Sequence, residues 1–90
     1  MNYVIWKCEL ELRAVQQQPM PEGAEILFVH EQNDRICVWF RCIPDNTPVL
    51  RNIVIVGTGH QKAPPPEESK YLGTAVMDNG MFIWHVFECK

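Results

Sequence analysis

Asn79-Gly80 constrains this chain more than any other pair of residues. A tight hairpin turn needs positive φ at both central residues to match the twist of two antiparallel strands, and Asn-Gly adopts that conformation most readily. After it run Met81, Phe82, Ile83, Trp84, His85, Val86, Phe87 and Glu88, the densest aromatic stretch of the sequence. Before it, residues 71–77 read as a strand. A turn centred on Asn79-Gly80 pairs Ala75 with Trp84 and Gly73 with Val86, small residues opposite large ones. It also sets Thr74 opposite His85.

The same reasoning extends to the rest of the chain. Residues 3–13 alternate between apolar and polar positions with period two, the pattern of a half-buried strand. Residues 16–23 hold Pro19, Pro21 and Gly23, and read as a connection because proline cannot donate to a strand ladder. Residues 24–32 and 35–43 read as strands joined by the turn-forming Asn33-Asp34. That turn places His30 opposite Cys37 and Phe28 opposite Trp39, and assigns Leu27, Val29, Val38 and Phe40 to the core. Residues 50–56 form the most β-branched strand. Residues 61–70, with Pro64-Pro65-Pro66, have almost nothing to bury and read as an exposed proline-rich loop. No stretch has helical periodicity. The expected fold is all-β: one domain over residues 1–90, an antiparallel sandwich or small barrel of about six strands built from hairpins.

Composition narrows the functional classes. A 90-residue chain of net charge −3 with its eight basic residues dispersed lacks the clustered cationic surface that nucleic acid requires. No apolar run reaches the length of a membrane-spanning helix. The first residues lack the basic start and small-residue cleavage site of a secretory signal. A cytoplasmic protein with four reduced cysteines is therefore expected. The cysteines and His30, His60 and His85 do not fall at zinc-ligand spacings, so neither metal nor cofactor is expected. Such a short chain buries a modest core, and association into a homo-oligomer would add to it.

Two features could carry recognition. Gly57-Thr58-Gly59-His60 ends a strand in a turn whose backbone N–H groups could face an anion, although it is neither a dinucleotide fingerprint nor a phosphate-binding loop. On the third strand, Trp39 shares a face with Arg41, an aromatic beside a cation. Together these suit a nucleotide-like small molecule. Thr58, Gly59 and His60 would supply donors, Trp39 would stack, Arg41 or Arg51 would meet phosphate, and His85 would lie nearby. Trp6 and Trp84 read as core fillers. Catalysis is the weaker expectation: only His30 and Cys37 could form a nucleophile–base pair, in which case the chain would be a small hydrolase.

Several segments together also carry a resemblance: Ile5-Trp6-Lys7, Met20-Pro21-Glu22-Gly23-Ala24, Cys37-Val38-Trp39, Gly57-Thr58-Gly59-His60, Tyr71-Leu72-Gly73-Thr74 and Trp84-His85-Val86-Phe87-Glu88. With these the chain resembles a family of small proteins encoded by bacteriophages and prophages. The resemblance implies a phage accessory protein. Two modes of action follow from it: sequestering a nucleotide-derived signal in counter-defence, or masking a host protein. A minor structural role in the virion is a further alternative.

Overall fold

The computed structural model of the chain describes residues 2–60 and 62–90. Seven strands form two antiparallel sheets packed face to face, an all-β sandwich. They are β1 (Val4–Glu9), β2 (Val15–Pro21), β3 (Glu25–Gln32), β4 (Arg35–Cys42), β5 (Pro48–Gly57), β6 (Ser69–Met77) and β7 (Phe82–Cys89). One sheet has the order β1-β4-β3 and the other β2-β5-β7-β6. The fold is thus the sandwich of the two expected architectures, and strand edges remain open in both sheets.

The Asn33-Asp34 turn forms as its residues dictate, a two-residue loop closed by Gln32 and Arg35 with φ of 54° and 62°. The second hairpin turn is wider than two residues: pairing ends at Met77 and Phe82, and Asp78, Asn79 and Gly80 all take positive φ (53°, 54° and 90°) in a short 3-10 turn, while the expected register is kept. The resulting registers pair His30 with Cys37 and Phe28 with Trp39. They pair Gly73 with Val86, Thr74 with His85 and Ala75 with Trp84. Leu27 departs from its expected place. The register of β3 shifts between Ile26 and Phe28, so Leu27 is the extra residue of a bulge and is 43% exposed instead of buried.

The largest correction lies between residues 10 and 21. The first strand stops at Glu9, and the segment read as a connection contains β2. Proline is tolerated there because β2 is an edge strand, whose outward N–H groups have no partner to lose. The chain crosses from one sheet to the other through Gln16, a buried polar residue. Its carboxamide accepts from the Glu11 N–H and donates to the Glu11 and Arg13 carbonyls. It thus satisfies backbone groups that the crossing would otherwise leave unpaired.

The core is one layer of side chains between the sheets: Val29, Ile36, Val38, Phe40 and Cys42 from one, Met20, Ile53, Ile55, Ala75 and Val86 from the other. Trp84 packs against it. Trp6, expected to fill the core, stays 44% exposed, edge-on to Phe40. The sheets come closest where β3 meets β6. A Cβ on Gly73 would sit 2.8 Å from Cβ of Val29.

The segment before β6 is mostly exposed as expected, with a short 3-10 turn at Pro66–Glu68. Gln61, the first residue of the expected loop, lies outside the described residues, and Ser69 and Lys70 belong to β6.

The charges are distributed unevenly between the outer faces. The three-stranded sheet turns outward Lys7 and Glu9 on β1, Arg35 and Arg41 on β4, and Glu25 on β3. The four-stranded sheet turns outward Val15, Gln17 and Pro19 on β2, and Leu50, Asn52, Val54 and Val56 on β5. Ile83, His85, Phe87 and Cys89 follow on β7, and Ser69, Tyr71, Thr74 and Val76 on β6. None of these is charged. The charged pair of that sheet, Arg51 and Glu88, lies on its inner face. Arg51 Nη2 donates to Glu88 Oε1 at 2.8 Å, Nε donates to Oε2, and Nη1 donates to the Ala24 carbonyl at 2.9 Å. The hydrogen bond to Glu88 raises the Arg51 pKa further, against the opposing effect of burial.

The Gly73–Val29 contact has a measurable consequence. Gly73→Ala forces the two sheets apart at their nearest point. It should lower the free energy of unfolding by about 1–3 kcal/mol, outweighing the smaller gain from a stiffer unfolded chain. Urea denaturation of the two proteins measures the difference.

Candidate functional site

The site begins where β5 ends. Gly57 pairs with Trp84 on β7. The chain then turns through Thr58 and Gly59, with Gly59 at φ 83°. The Thr58 N–H donates to the Ile83 carbonyl at 3.3 Å, and the His60 N–H donates to the Gly57 carbonyl at 3.0 Å. The second bond closes a four-residue turn, Gly57–His60, that folds His60 back. A Cβ on Gly57 would lie 2.8 Å from Cε1 and Nδ1 of His60 and 3.1 Å from the Trp84 ring. Glycine is required at residue 57 by that close approach, since a side chain would occupy the space of the imidazole.

The result is a cleft of about 180 Å³ lined by Gly57, Thr58, His60, Phe82 and Trp84. His60 meets Trp84 edge-on, with ring centroids 6.0 Å apart. Phe82 and Trp84 lie nearly parallel, 12° apart in plane with centroids at 6.2 Å. On the other side of these two rings is a wider hollow of about 390 Å³, which Leu12, Met77, Asp34 and Asp78 also line. The aromatic pair is a wall with space on both sides. Apolar rings bordered by a few polar groups are the usual make-up of a small-molecule site.

His85 lies next to this cleft but on the opposite side of the sheet. It pairs with Val56 and Thr74, and alternate strand residues face opposite ways. Both of its ring nitrogens are engaged: Nε2 with Thr58 Oγ1 at 2.8 Å, Nδ1 with Thr74 Oγ1 at 3.1 Å. The Tyr71 hydroxyl hydrogen-bonds to Thr74 in turn, and its ring stands edge-on to Phe87. Thr58 therefore joins the two sides. Its backbone borders the cleft with His60, and its hydroxyl is held by His85.

The remaining candidate residues lie elsewhere. Trp39 and Arg41 are on the outer face of the three-stranded sheet, where Trp39 is tilted against Phe28 and Phe28 is stacked on His30. Arg41 is paired with Glu25. Arg51 is inside the sandwich, held by Glu88 and Ala24. The fold thus brings Thr58, Gly59, His60 and His85 together and keeps Trp39, Arg41 and Arg51 apart from them. Phe82, Trp84, Tyr71 and Thr74 complete the arrangement. Trp84 was read from sequence as a core filler, and its second role depends on β5 pairing with β7, a contact between distant parts of the chain.

His30 and Cys37 are adjacent, but Cys37 is fully buried. Burial pushes its thiol pKa up, which holds the sulfur protonated and unreactive. Cys42 is raised by the same cause. Cys8 is pushed up to about 11, by burial first and then by the neighbouring Cys37. All four cysteines are free. Among the described residues, no group of three or more His, Cys, Asp or Glu side chains is placed to hold a metal ion. No helix among them is long and apolar enough to cross a membrane.

The fold and this cleft define a small β-sandwich with an aromatic-walled site at one end of its larger sheet. The chain belongs to the DUF7352 family, a domain of unknown function whose model matches residues 1–90. No curated protein and no solved structure shows significant similarity to it.

The raised thiols make stability depend on pH. An unfolded cysteine loses its proton near its ordinary value of 9.0, whereas folded Cys8 keeps it to about 11. Its contribution is complete below pH 9. It is lost as pH rises from about 9 to 11, because the unfolded chain gains by ionising first. Denaturation curves across that range should show falling stability, with a smaller fall in Cys8→Ala.

Proposed function

We propose that this protein is a phage-encoded, cytoplasmic accessory protein that binds a nucleotide-like small molecule, acting in counter-defence as a homo-oligomer. The aromatic-walled cleft beside the Gly57–His60 turn carries this reading. The Phe82–Trp84 pair offers apolar ring surface to a flat heterocycle, and stacking of this kind contributes about 1–3 kcal/mol per base. His60 closes the edge. At the rim the Thr58 and His60 N–H groups are already donated to the Ile83 and Gly57 carbonyls, so the Gly59 N–H is the backbone donor this reading gives to an anionic group. Lys62 and His60 together border the adjoining hollow. Arg41 and Arg51 have no part in this version of the site, because each is already paired with a carboxylate.

The homo-oligomer is part of this reading. A cleft of about 180 Å³ is smaller than the roughly 300–1,000 Å³ of a typical small-molecule site. A second copy would supply the missing wall. A second reading, masking of a host protein, is favoured by the exposed Phe28, which is 54% accessible beside Trp39.

Native mass spectrometry against linear and cyclic mono- and dinucleotides tests the ligand. At least one is expected to bind. Gly57→Ala displaces the His60 imidazole and presses on the Trp84 ring, and it should weaken that binding at least tenfold; urea denaturation of the variant separates loss of the site from loss of the fold. No binding by any member would overturn the reading.

A further inference from the structure

We infer that Thr58 and His85 form a nucleophile–base pair, and that the chain hydrolyses carboxylic esters of short apolar acids at Thr58 Oγ1. The inference goes beyond ligand binding and stands whether or not the cleft takes a nucleotide.

A chain of hydroxyls and one imidazole on the four-stranded sheet carries it. Thr58 Oγ1 lies 2.8 Å from His85 Nε2, and His85 Nδ1 lies 3.1 Å from Thr74 Oγ1. Thr74 is held in turn by the Tyr71 hydroxyl. An activated nucleophile needs this order of groups: a hydroxyl within hydrogen-bond reach of a base, and a third group that orients the base from its far side. With its proton on Nδ1, His85 donates to Thr74 and turns the lone pair of Nε2 toward the Thr58 hydroxyl. The imidazole is half-buried and Thr58 is exposed, so the hydroxyl is open to a substrate. Water could serve a histidine placed there, and the fold gains little by giving it protein partners instead. Two hydroxyls from different segments nevertheless fix the ring, which is what directed proton transfer requires.

The surroundings supply the other parts. Gly59 follows the nucleophile, and among the described residues its N–H has no backbone acceptor. The N–H of the residue after the nucleophile is a recurrent oxyanion donor in hydrolases. Glycine at that position, with φ 83°, leaves open space beside the donor. The acyl group is selected by Val56, the cross-strand partner of His85. Val56 lines a hollow of about 350 Å³ with Val54, Ala14 and Val15, which offers carbon surface to a short apolar chain.

The reaction balances without a cofactor. Thr58 Oγ1 attacks the acyl carbon, its proton passes to Nε2, and the carbonyl oxygen becomes an oxyanion that the Gly59 N–H stabilises. Collapse breaks the bond to the alcohol, which leaves with the proton from Nε2, and an acyl ester remains on Thr58. Water then gives a proton to Nε2 and attacks the acyl carbon. The carboxylic acid departs and the proton returns to Thr58 Oγ1. One ester and one water yield one acid and one alcohol. Thr74 touches no reacting atom and is a positioning residue.

Hydrolysis of p-nitrophenyl acetate and p-nitrophenyl butyrate by the full chain tests the inference. Turnover is expected to exceed that of free imidazole at equal concentration by about tenfold or more. Tandem mass spectrometry of the wild type, quenched in acid during turnover, should place the acyl group on Thr58, a result that needs no variant. Thr58→Val and His85→Gln should each lower kcat/KM by about a hundredfold or more, with circular dichroism showing the fold intact. Thr58→Ser should retain activity, and His30→Gln on the other sheet should leave it unchanged. Thr74→Val should lower kcat while KM is kept, and Thr74→Ser should restore it. Turnover no faster than free imidazole, an acyl group on another residue or on none, or folded Thr58→Val and His85→Gln proteins as active as the wild type would each overturn it. Ester hydrolysis without nucleotide binding would leave this pair in place and remove only the proposed ligand.

Discussion

The approach of Gly73 to Val29 is the contact on which the rest of the sandwich depends. With only 90 residues the protein has a single layer of side chains between its sheets, so the spacing of the sheets is set by a few contacts. At β3 and β6 the backbones draw together because residue 73 has no side chain. Each of those strands carries a register shift next to the contact, at Ile26/Phe28 and at Tyr71/Gly73. A bulge bends and twists its strand locally, which lets the two sheets converge on this side while β1 and β2 remain edges on the other. The positions of Phe82, Trp84 and His85 on β7 follow from the pairing of β7 with β6 that this contact anchors.

The larger sheet reverses the ordinary arrangement of a surface strand. Its ion pair faces inward and its valines, leucine and tyrosine face outward. The inward pair is tolerated because Arg51 makes two bonds to Glu88 and a third to the Ala24 carbonyl, so neither charge is left unsatisfied. The same inward carbonyl bond joins β5 to the start of β3 and helps fix the open end of the sandwich.

Much of the fold was legible in the residues. Asn33-Asp34 and Asn79-Gly80 specify their turns by backbone conformation alone, and each turn then sets its register by counting outward. What resisted reading was anything decided by a neighbour distant in sequence. Pro19 and Pro21 argue against a strand until β2 is known to be an edge, where their missing N–H groups matter little. Leu27 alternates correctly for the core, yet the bulge displaces it. Gln16 looks like part of a polar linker, yet it is buried and replaces a backbone partner. For the site, the Gly57–His60 turn was legible from its glycines. The roles of Trp84 and Phe82 were not, because they depend on the β5–β7 register.

The sequence by itself determined the strand periodicity, the hairpins and the all-β class, since these follow from local conformational preference and period-two patterning. It also determined that Thr74 would face His85, because the loop is centred on Asn79-Gly80 whether it is two residues wide or, as found, four. Tertiary structure alone decided that Thr58 would hold the other nitrogen of His85, that His60 would fold over Gly57 onto Trp84, and that Trp39, Arg41 and Arg51 would lie apart from them. The reason is the same in each case: which strands become neighbours, and which face of each is covered, is set by the packing of two sheets onto one shared core, and no short stretch of chain contains that information.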